Sequence, residues 1–190
     1  MRAHITINAD GANVILNGLA DPALNMIDTT GGAGDGAGAV GAGGVITFGD
    51  DANGDQLLIE TAAVRIDAGS NSADIIYNTA VDGPAGLNLT PGVTASVIFN
   101  GVVGGVTTLG DVVINESLNV VINQDFTTTD FDQAVAGLGT FDLNAQLTAT
   151  TGGIDINSAT VDLDGSVRTQ GDDQNINITG GAGGIDLAAG

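Results

Sequence analysis

The fold is decided by runs such as those in residues 141–164, FDLNAQLTATTGGIDINSATVDLD. One four-residue template occurs three times in this stretch, at 141–144, 154–157 and 161–164. It consists of an apolar residue, a second residue that is usually polar, another apolar residue, and then Asn, Asp or Thr. Because successive side chains of a β-strand point to opposite sides, the two apolar residues enter a core while the residue between them faces water. Each run therefore predicts a minimal β-strand.

The template recurs along the rest of the chain, with Gly, Asn or Asp at the breaks between runs, at 5–8, 45–48, 64–67, 87–90, 176–179 and 185–187. Many short strands joined by tight turns indicate an all-β fold. A parallel β-helix (β-solenoid) and a β-sandwich both have this pattern. The strands are short for a sandwich, and self-similarity at a short period is typical of coils stacked on one another, so we predict the β-solenoid and keep the β-sandwich as the alternative.

Asparagine closes many of the runs, and stacked amides form ladders between successive coils. The residues that we expect in such ladders are Asn8, Asn17, Asn78, Asn100, Asn115, Asn123, Asn144 and Asn157.

Two segments depart from the template within what we predict to be a single solenoid segment over residues 1–190. Residues 29–44, TTGGAGDGAGAVGAGG, have few side chains to bury and predict a flexible Gly/Ala-rich loop. Residues 124–139 predict a second excursion, in which 130–137 form a short helical turn that begins at an acidic cap.

Several runs are apolar at every position, and those at 57–59, 75–77, 112–114 and 120–122 stand at the centre of the chain. Their outer side needs an explanation, since the template puts a polar residue there. One interpretation is a doubly buried layer, or a cover formed by the excursions. The other is an exposed apolar stripe that serves lateral assembly or docking of a partner.

Composition and charge narrow the function. The chain has 23 acidic residues against three basic ones, a net charge of −20, so nucleic acid and anionic membrane surfaces are disfavoured as partners. It contains no cysteine, and no apolar run long enough to insert in a membrane. The N-terminus enters a strand at once without the apolar core of a signal peptide, and we expect this piece to be part of a longer chain.

Residues 97–115, VIFNGVVGGVTTLGDVVIN, resemble the repeat of giant filamentous haemagglutinin-like bacterial surface proteins. The positions in step with that repeat are Phe99, Asn100, Gly101, Val103, Gly104, Gly105, Thr107, Leu109, Val112 and Ile114. The resemblance implies a right-handed parallel β-helix that is exported to the bacterial cell surface as an adhesin or matrix fibre. It also implies a host-cell, matrix or carbohydrate surface as the partner.

Parallel β-helices also include polysaccharide-cleaving enzymes, which use paired carboxylates as acid and base. The chain has two Gly-Asp-Asp tripeptides, at 49–51 and 171–173, which resemble the carboxylate pair of polygalacturonase-like enzymes. Those enzymes add a His-Gly and an Arg-x-Lys element, whereas the sole histidine here is His4 and lysine is absent. We therefore interpret both tripeptides as turns, assign no catalytic or cofactor-binding residue, and predict that the chain is not an enzyme.

Calcium is the one metal ion whose binding the sequence suggests. Asp51, Asn53 and Asp55 place three oxygen-bearing side chains at alternate positions, as at the opening of a calcium loop. The rest of the loop pattern is missing, because Gln56 and Ala62 occupy positions where Gly and an acidic residue belong. An ordinary polar turn is the competing interpretation.

The sequence thus predicts a non-catalytic structural or adhesive β-solenoid segment, either a spacer or a fibre subunit. A carbohydrate-active or carbohydrate-binding β-helix domain is the alternative. Self-association is expected through the terminal coils, whose strand edges are unpaired unless capped, or through the apolar strand faces.

Overall fold

In a computed structural model the chain folds as an all-β solenoid of parallel strands. The structure describes residues 5–7, 13–16, 26–28, 45–49, 56–68, 73–134, 137–171 and 174–188, and of the first three ranges only the strand positions. Within these ranges there is no helix, and every strand pairing is parallel. The predicted solenoid is confirmed, and the sandwich alternative is wrong because a sandwich pairs its strands antiparallel.

The coils run through three faces and contribute one strand to each, with one exception. The coil of residues 97–114 reaches face 2 only at the isolated bridge residue Val103, which divides that face into two three-stranded sheets. Face 1 consists of β1 (Ile5–Ile7), β4 (Ile46–Phe48), β7 (Ile75–Tyr77), β10 (Val97–Phe99), β12 (Val120–Ile122) and β15 (Gly137–Leu143). Face 2 consists of β2 (Asn13–Leu16), β5 (Gln56–Ile59), β8 (Ala80–Asp82), β13 (Phe126–Thr128), β16 (Gln146–Ala149) and β18 (Ser166–Thr169). Face 3 consists of β3 (Met26–Asp28), β6 (Val64–Asp67), β9 (Leu87–Thr90), β11 (Val112–Ile114), β14 (Phe131–Gln133), β17 (Ile154–Leu163) and β19 (Ile176–Leu187).

The two longest strands of face 3, β17 and β19, continue around the corner, so that their C-terminal ends extend face 1 beyond β15. Equivalent asparagines of successive coils are separated by 22, 23 and 21 residues. From β4 to the end of β19 the stack makes about six turns.

The core is a set of columns in which like residues stack from coil to coil. On face 1 the aromatic rings of Phe48, Tyr77 and Phe99 are stacked with centroids 5.0 and 4.8 Å apart. Phe126 and Phe131 continue the aromatic contacts edge to face on the other two faces. These side chains are almost completely buried, so the few aromatic residues of the chain are concentrated in its core.

The corner after β10 explains the glycines of the haemagglutinin-like segment. A Cβ atom on Gly101 would lie 2.1 Å from the backbone oxygen of Thr79, and one on Gly104 would lie 1.9 Å from that of Thr127. Gly104 also has a φ of +66°. Neighbouring coils approach too closely at this corner for any side chain, which is why the motif needs glycine there.

Residues 124–139 do not form the excursion that we predicted for them. These residues contain β13, β14 and the beginning of β15, all within the stack. The helical turn predicted for 130–137 is wrong, because β14 occupies Phe131–Gln133 and pairs with β11 on one side and β17 on the other. The Gly/Ala-rich loop predicted for 29–44 lies outside the described residues.

Candidate functional surface

The outward positions of face 1 form one straight column, which we call the central column. The strand register aligns one residue from each coil, in the order Thr47, Ile76, Ile98, Val121, Asp142, Asp162 and Asp186. The column is thus apolar in the middle and acidic towards the C-terminal end. Asp186 is exposed and the other side chains of the column are partly exposed. From Thr47 to Asp162, the residues on either side of each in its strand point into the core.

An amide ladder borders the central column. The side-chain Nδ2 of Asn100 donates to Oδ1 of Asn78 at 2.8 Å, that of Asn123 to Asn100 at 2.8 Å, and that of Asn144 to Asn123 at 2.9 Å. The ladder was predicted from the asparagines that close the runs, and for these four it is confirmed. Asn8 and Asn17 lie outside the described residues.

The opposite border of the central column is also polar. The backbone N–H of Ser96 donates to Oδ1 of Asp74 at 2.8 Å, and Nδ2 of Asn119 donates to Oγ of Ser96 at 3.2 Å. The backbone N–H of Thr140 in turn donates to Oδ1 of Asn119 at 2.9 Å. Face 1 is therefore a flat surface with an apolar centre and a hydrogen-bonded rim on each side.

Repulsion between carboxylates marks the acidic end of the central column. Burial raises the pKa of Asp142, and repulsion from Asp162 and Asp164 raises it further, while a hydrogen bond from Asn144 lowers it. Carboxylates on adjacent rungs of a parallel sheet lie about 4.8 Å apart at the backbone, which explains the repulsion.

Face 3 has its own outward column, running through Arg65, Asn88, Val113, Asp132, Asp155 and Asn177. It too becomes acidic towards the C-terminal end. Burial raises the pKa of Asp132, as does repulsion from Asp155 and Asp130.

An open groove of about 390 Å³ follows the acidic end of face 3, and Asp132, Asp155 and Asn177 are among the residues that line it. Two of its carboxylates accept hydrogen bonds within the fold: Gly153 N–H donates to Oδ1 of Asp130 at 2.6 Å, and Nδ2 of Asn177 donates to Oδ1 of Asp155 at 3.3 Å.

The last coil leaves apolar side chains in solvent. Ile176, Ile185 and Leu187 of β19 are 43%, 48% and 65% exposed, although they continue core columns that are buried one coil earlier. Among the described strands β19 pairs only with β17.

The middle residues of the four apolar runs, Leu58, Ile76, Val113 and Val121, are partly exposed. No second layer of the described chain buries them completely, so they do not lie in a doubly buried layer, while cover by the loop at 29–44 lies outside the described residues. The sequence analysis did not predict the two acidic columns, although Phe141-Asp-Leu and Val161-Asp-Leu each place an aspartate at the outward position of a strand. Only the register between coils shows that these aspartates are neighbours.

The structure does not test the site residues predicted from motifs. Asp51, Asn53 and Asp55 of the calcium hypothesis lie outside the described residues, as do His4 and the carboxylates of both Gly-Asp-Asp tripeptides. In the part of the chain that the structure describes, no group of three or more acidic or histidine side chains is arranged to hold a metal ion.

Comparisons with known proteins gave no match: no family model, curated protein or solved structure is significantly similar to this chain. Over the described ranges we find no helix of the length and apolarity that crossing a membrane requires. The class to which the protein is assigned is therefore its fold class, a parallel β-solenoid. One of its faces carries a column of side chains that is apolar in the middle and acidic at one end.

Proposed function

We propose that this chain is a non-catalytic structural or adhesive β-solenoid segment of a bacterial surface protein or fibre, located outside the cell. The observation that supports this role best is the amide ladder of Asn78, Asn100, Asn123 and Asn144. Its asparagine side chains lie at exposed positions, where hydrogen bonds between them join each coil to the next. Together with continuous core columns, such a ladder produces a stiff rod, which is what a spacer or fibre requires.

The charge of the molecule supports the same role. A net charge of −20 keeps a surface rich in β-structure soluble and discourages nonspecific aggregation. The resemblance of residues 97–115 to haemagglutinin-like repeats supports export to the cell surface, with a host-cell, matrix or carbohydrate surface as the partner.

A carbohydrate-active or carbohydrate-binding domain is the second candidate, and the groove on face 3 is the observation that favours it. Asp132 and Asp155 occupy adjacent rungs there, and the raised pKa of Asp132 is a property of general acids in glycoside-cleaving enzymes. Incubating the purified chain with a panel of polysaccharides separates the candidates. We expect no cleavage, and cleavage that Asp132→Asn abolishes would favour the second candidate.

Surface labelling of intact cells tests the main proposal. Antibodies raised against the purified chain should bind unbroken cells of the producing bacterium, and protease added outside should remove the signal. A cytoplasmic protein labelled in parallel controls for leakage. Labelling that appears only after lysis would overturn the proposed location and role.

A further inference from the structure

We propose that face 1 is a self-association surface on which a second copy of this chain docks, with the two solenoid axes antiparallel and with Ile98 on the twofold axis. The inference rests on the structural role proposed above and supplies its partner, a second copy of the same chain. It follows from the order of residues along the central column and along its two borders.

The apolar centre of the surface consists of three consecutive rungs. Ile76, Ile98 and Val121 are aligned in register, partly exposed, and evenly spaced because adjacent parallel strands lie about 4.8 Å apart. Outward β-branched side chains on a flat sheet form a regular surface that a second identical sheet can pack against. An isologous contact between two copies requires a surface that is complementary to itself.

The central column meets this requirement in one orientation only. If the axes are antiparallel about Ile98, then Ile76 faces Val121 of the partner subunit, and Thr47 faces Asp142 of the partner subunit. Apolar rungs meet apolar rungs, and Asp142 meets a hydroxyl. With parallel axes Asp142 and Asp162 would each face their own copies, and like charges placed opposite one another oppose association.

The borders match in the same orientation. A twofold axis along the strand direction keeps each border opposite the same border of the second copy. Asn100 then faces Asn100 of the partner subunit, so that amides able to donate and accept meet each other. On the other side Asp74 faces Asn119 of the partner subunit, and no carboxylate faces another carboxylate.

Face 3 does not offer an equivalent surface. Its outward column has a single apolar rung, Val113, between Asn88 and Asp132. This difference supplies a matched control, since Val113 and Ile98 are both partly exposed apolar residues at the middle of three-residue strands.

The association is expected to be weak and to depend on salt. Three apolar rungs and two narrow borders make a contact at the small end of specific interfaces. Two chains of charge −20 also repel each other, and salt screens that repulsion. Dimerisation should therefore strengthen as sodium chloride is raised from about 0.05 to 0.5 M, a range in which screening increases strongly.

Sedimentation equilibrium of the whole chain over a wide concentration range tests the proposal. We expect a reversible dimer that Ile98→Asp weakens at least about tenfold, because the substitution places two carboxylates against each other on the twofold axis. Ile98→Asp should fold, since Asp142 and Asp162 already occupy the same column, and circular dichroism checks this. Val113→Asp adds the same charge on face 3 and should leave the dimer unchanged.

A charge substitution tests the orientation. Thr47→Lys should tighten the dimer at least about threefold, because it places a cation opposite Asp142 of the partner subunit twice in each dimer. Asp142→Asn in the same chain should remove most of that gain. A chain that stays monomeric at all concentrations and salts would overturn the proposal, as would equal effects of Ile98→Asp and Val113→Asp, or no gain from Thr47→Lys. None of these outcomes bears on surface labelling of cells, so the proposed structural role fails or stands separately.

Discussion

Gly104 lies at a corner where the backbone itself leaves no room for a side chain. Its φ of +66° is a conformation that costs other residues about 1–2 kcal/mol, and the Thr127 oxygen occupies the place of a Cβ atom. Gly184 has a similar φ, +78°, but has open space around it. Comparing the same substitution at the two glycines therefore distinguishes the effect of backbone strain from that of steric overlap.

We predict that Gly104→Ala lowers the free energy of unfolding by about 3 kcal/mol or more, the sum of strain and overpacking. Gly184→Ala should cost only about 1 kcal/mol, since strain acts alone. Urea unfolding of both variants, followed by circular dichroism, measures the difference. Equal losses would show that the contact with Thr127 is relieved by a shift of the coils.

Asp142 and Asp132 are two of the residues through which pH acts on stability. Both have a pKa raised in the folded state, so the folded chain binds protons more tightly than the unfolded chain does. The free energy of unfolding should therefore fall as the pH rises through the raised pKa values. Conversely, it should increase as the pH is lowered from 7, and level off below the ordinary aspartate pKa of about 4.

Asp142→Asn tests this account at neutral pH. Removing the carboxylate relieves its burial and its repulsion with Asp162, so the melting temperature at pH 7 should rise by about 1–3 °C and its dependence on pH should flatten. Glu116→Gln removes one charge outside both acidic columns and controls for net charge. A melting temperature that Asp142→Asn lowers would mean that the hydrogen bond from Asn144 outweighs the repulsion.

At the scale of the element, β14 and β19 show how much a strand owes to its neighbours. β14 has strand partners on both sides, and this pairing overrides the local features that favour a helical turn. β19 has only β17 beside it among the described strands, and its one charged residue, Asp186, is little protection for an edge of twelve residues.

We predict that the amides of β19 exchange with solvent at least about tenfold faster than those of β10, which is paired on both sides. A free edge leaves half of its backbone groups without a strand partner, and its apolar side chains are already exposed. Hydrogen exchange followed by mass spectrometry of the peptic fragments measures both strands at once. Equal protection would indicate that the edge of β19 is covered in solution.

On the scale of the whole molecule, the charge of the surface changes from one end of the solenoid axis to the other. The outward columns of faces 1 and 3 are apolar or uncharged through their middle coils, and both change to aspartate at the coil that contains β14 and β15. Copies packed with parallel axes would bring the acidic ends together, whereas antiparallel copies keep them apart. This change of charge along the solenoid axis is the reason why face 1 is complementary to itself in one orientation.

The amino-acid sequence by itself determined the class of fold, because the apolar-polar-apolar template states which side of many of the short strands is buried. It also indicated the amide ladder, since Asn100, Asn123 and Asn144 each directly follow a short, largely apolar run. The tertiary structure alone decided which residues of different coils are neighbours. That alignment depends on the number of residues in each turn, which is 22, 23 and 21 across the amide ladder, and a shift of one residue would turn an outward side chain into the core. The acidic columns, the apolar rungs centred on Ile98, and the strand at β14 all follow from this register, which long-range backbone pairing sets and local sequence does not encode.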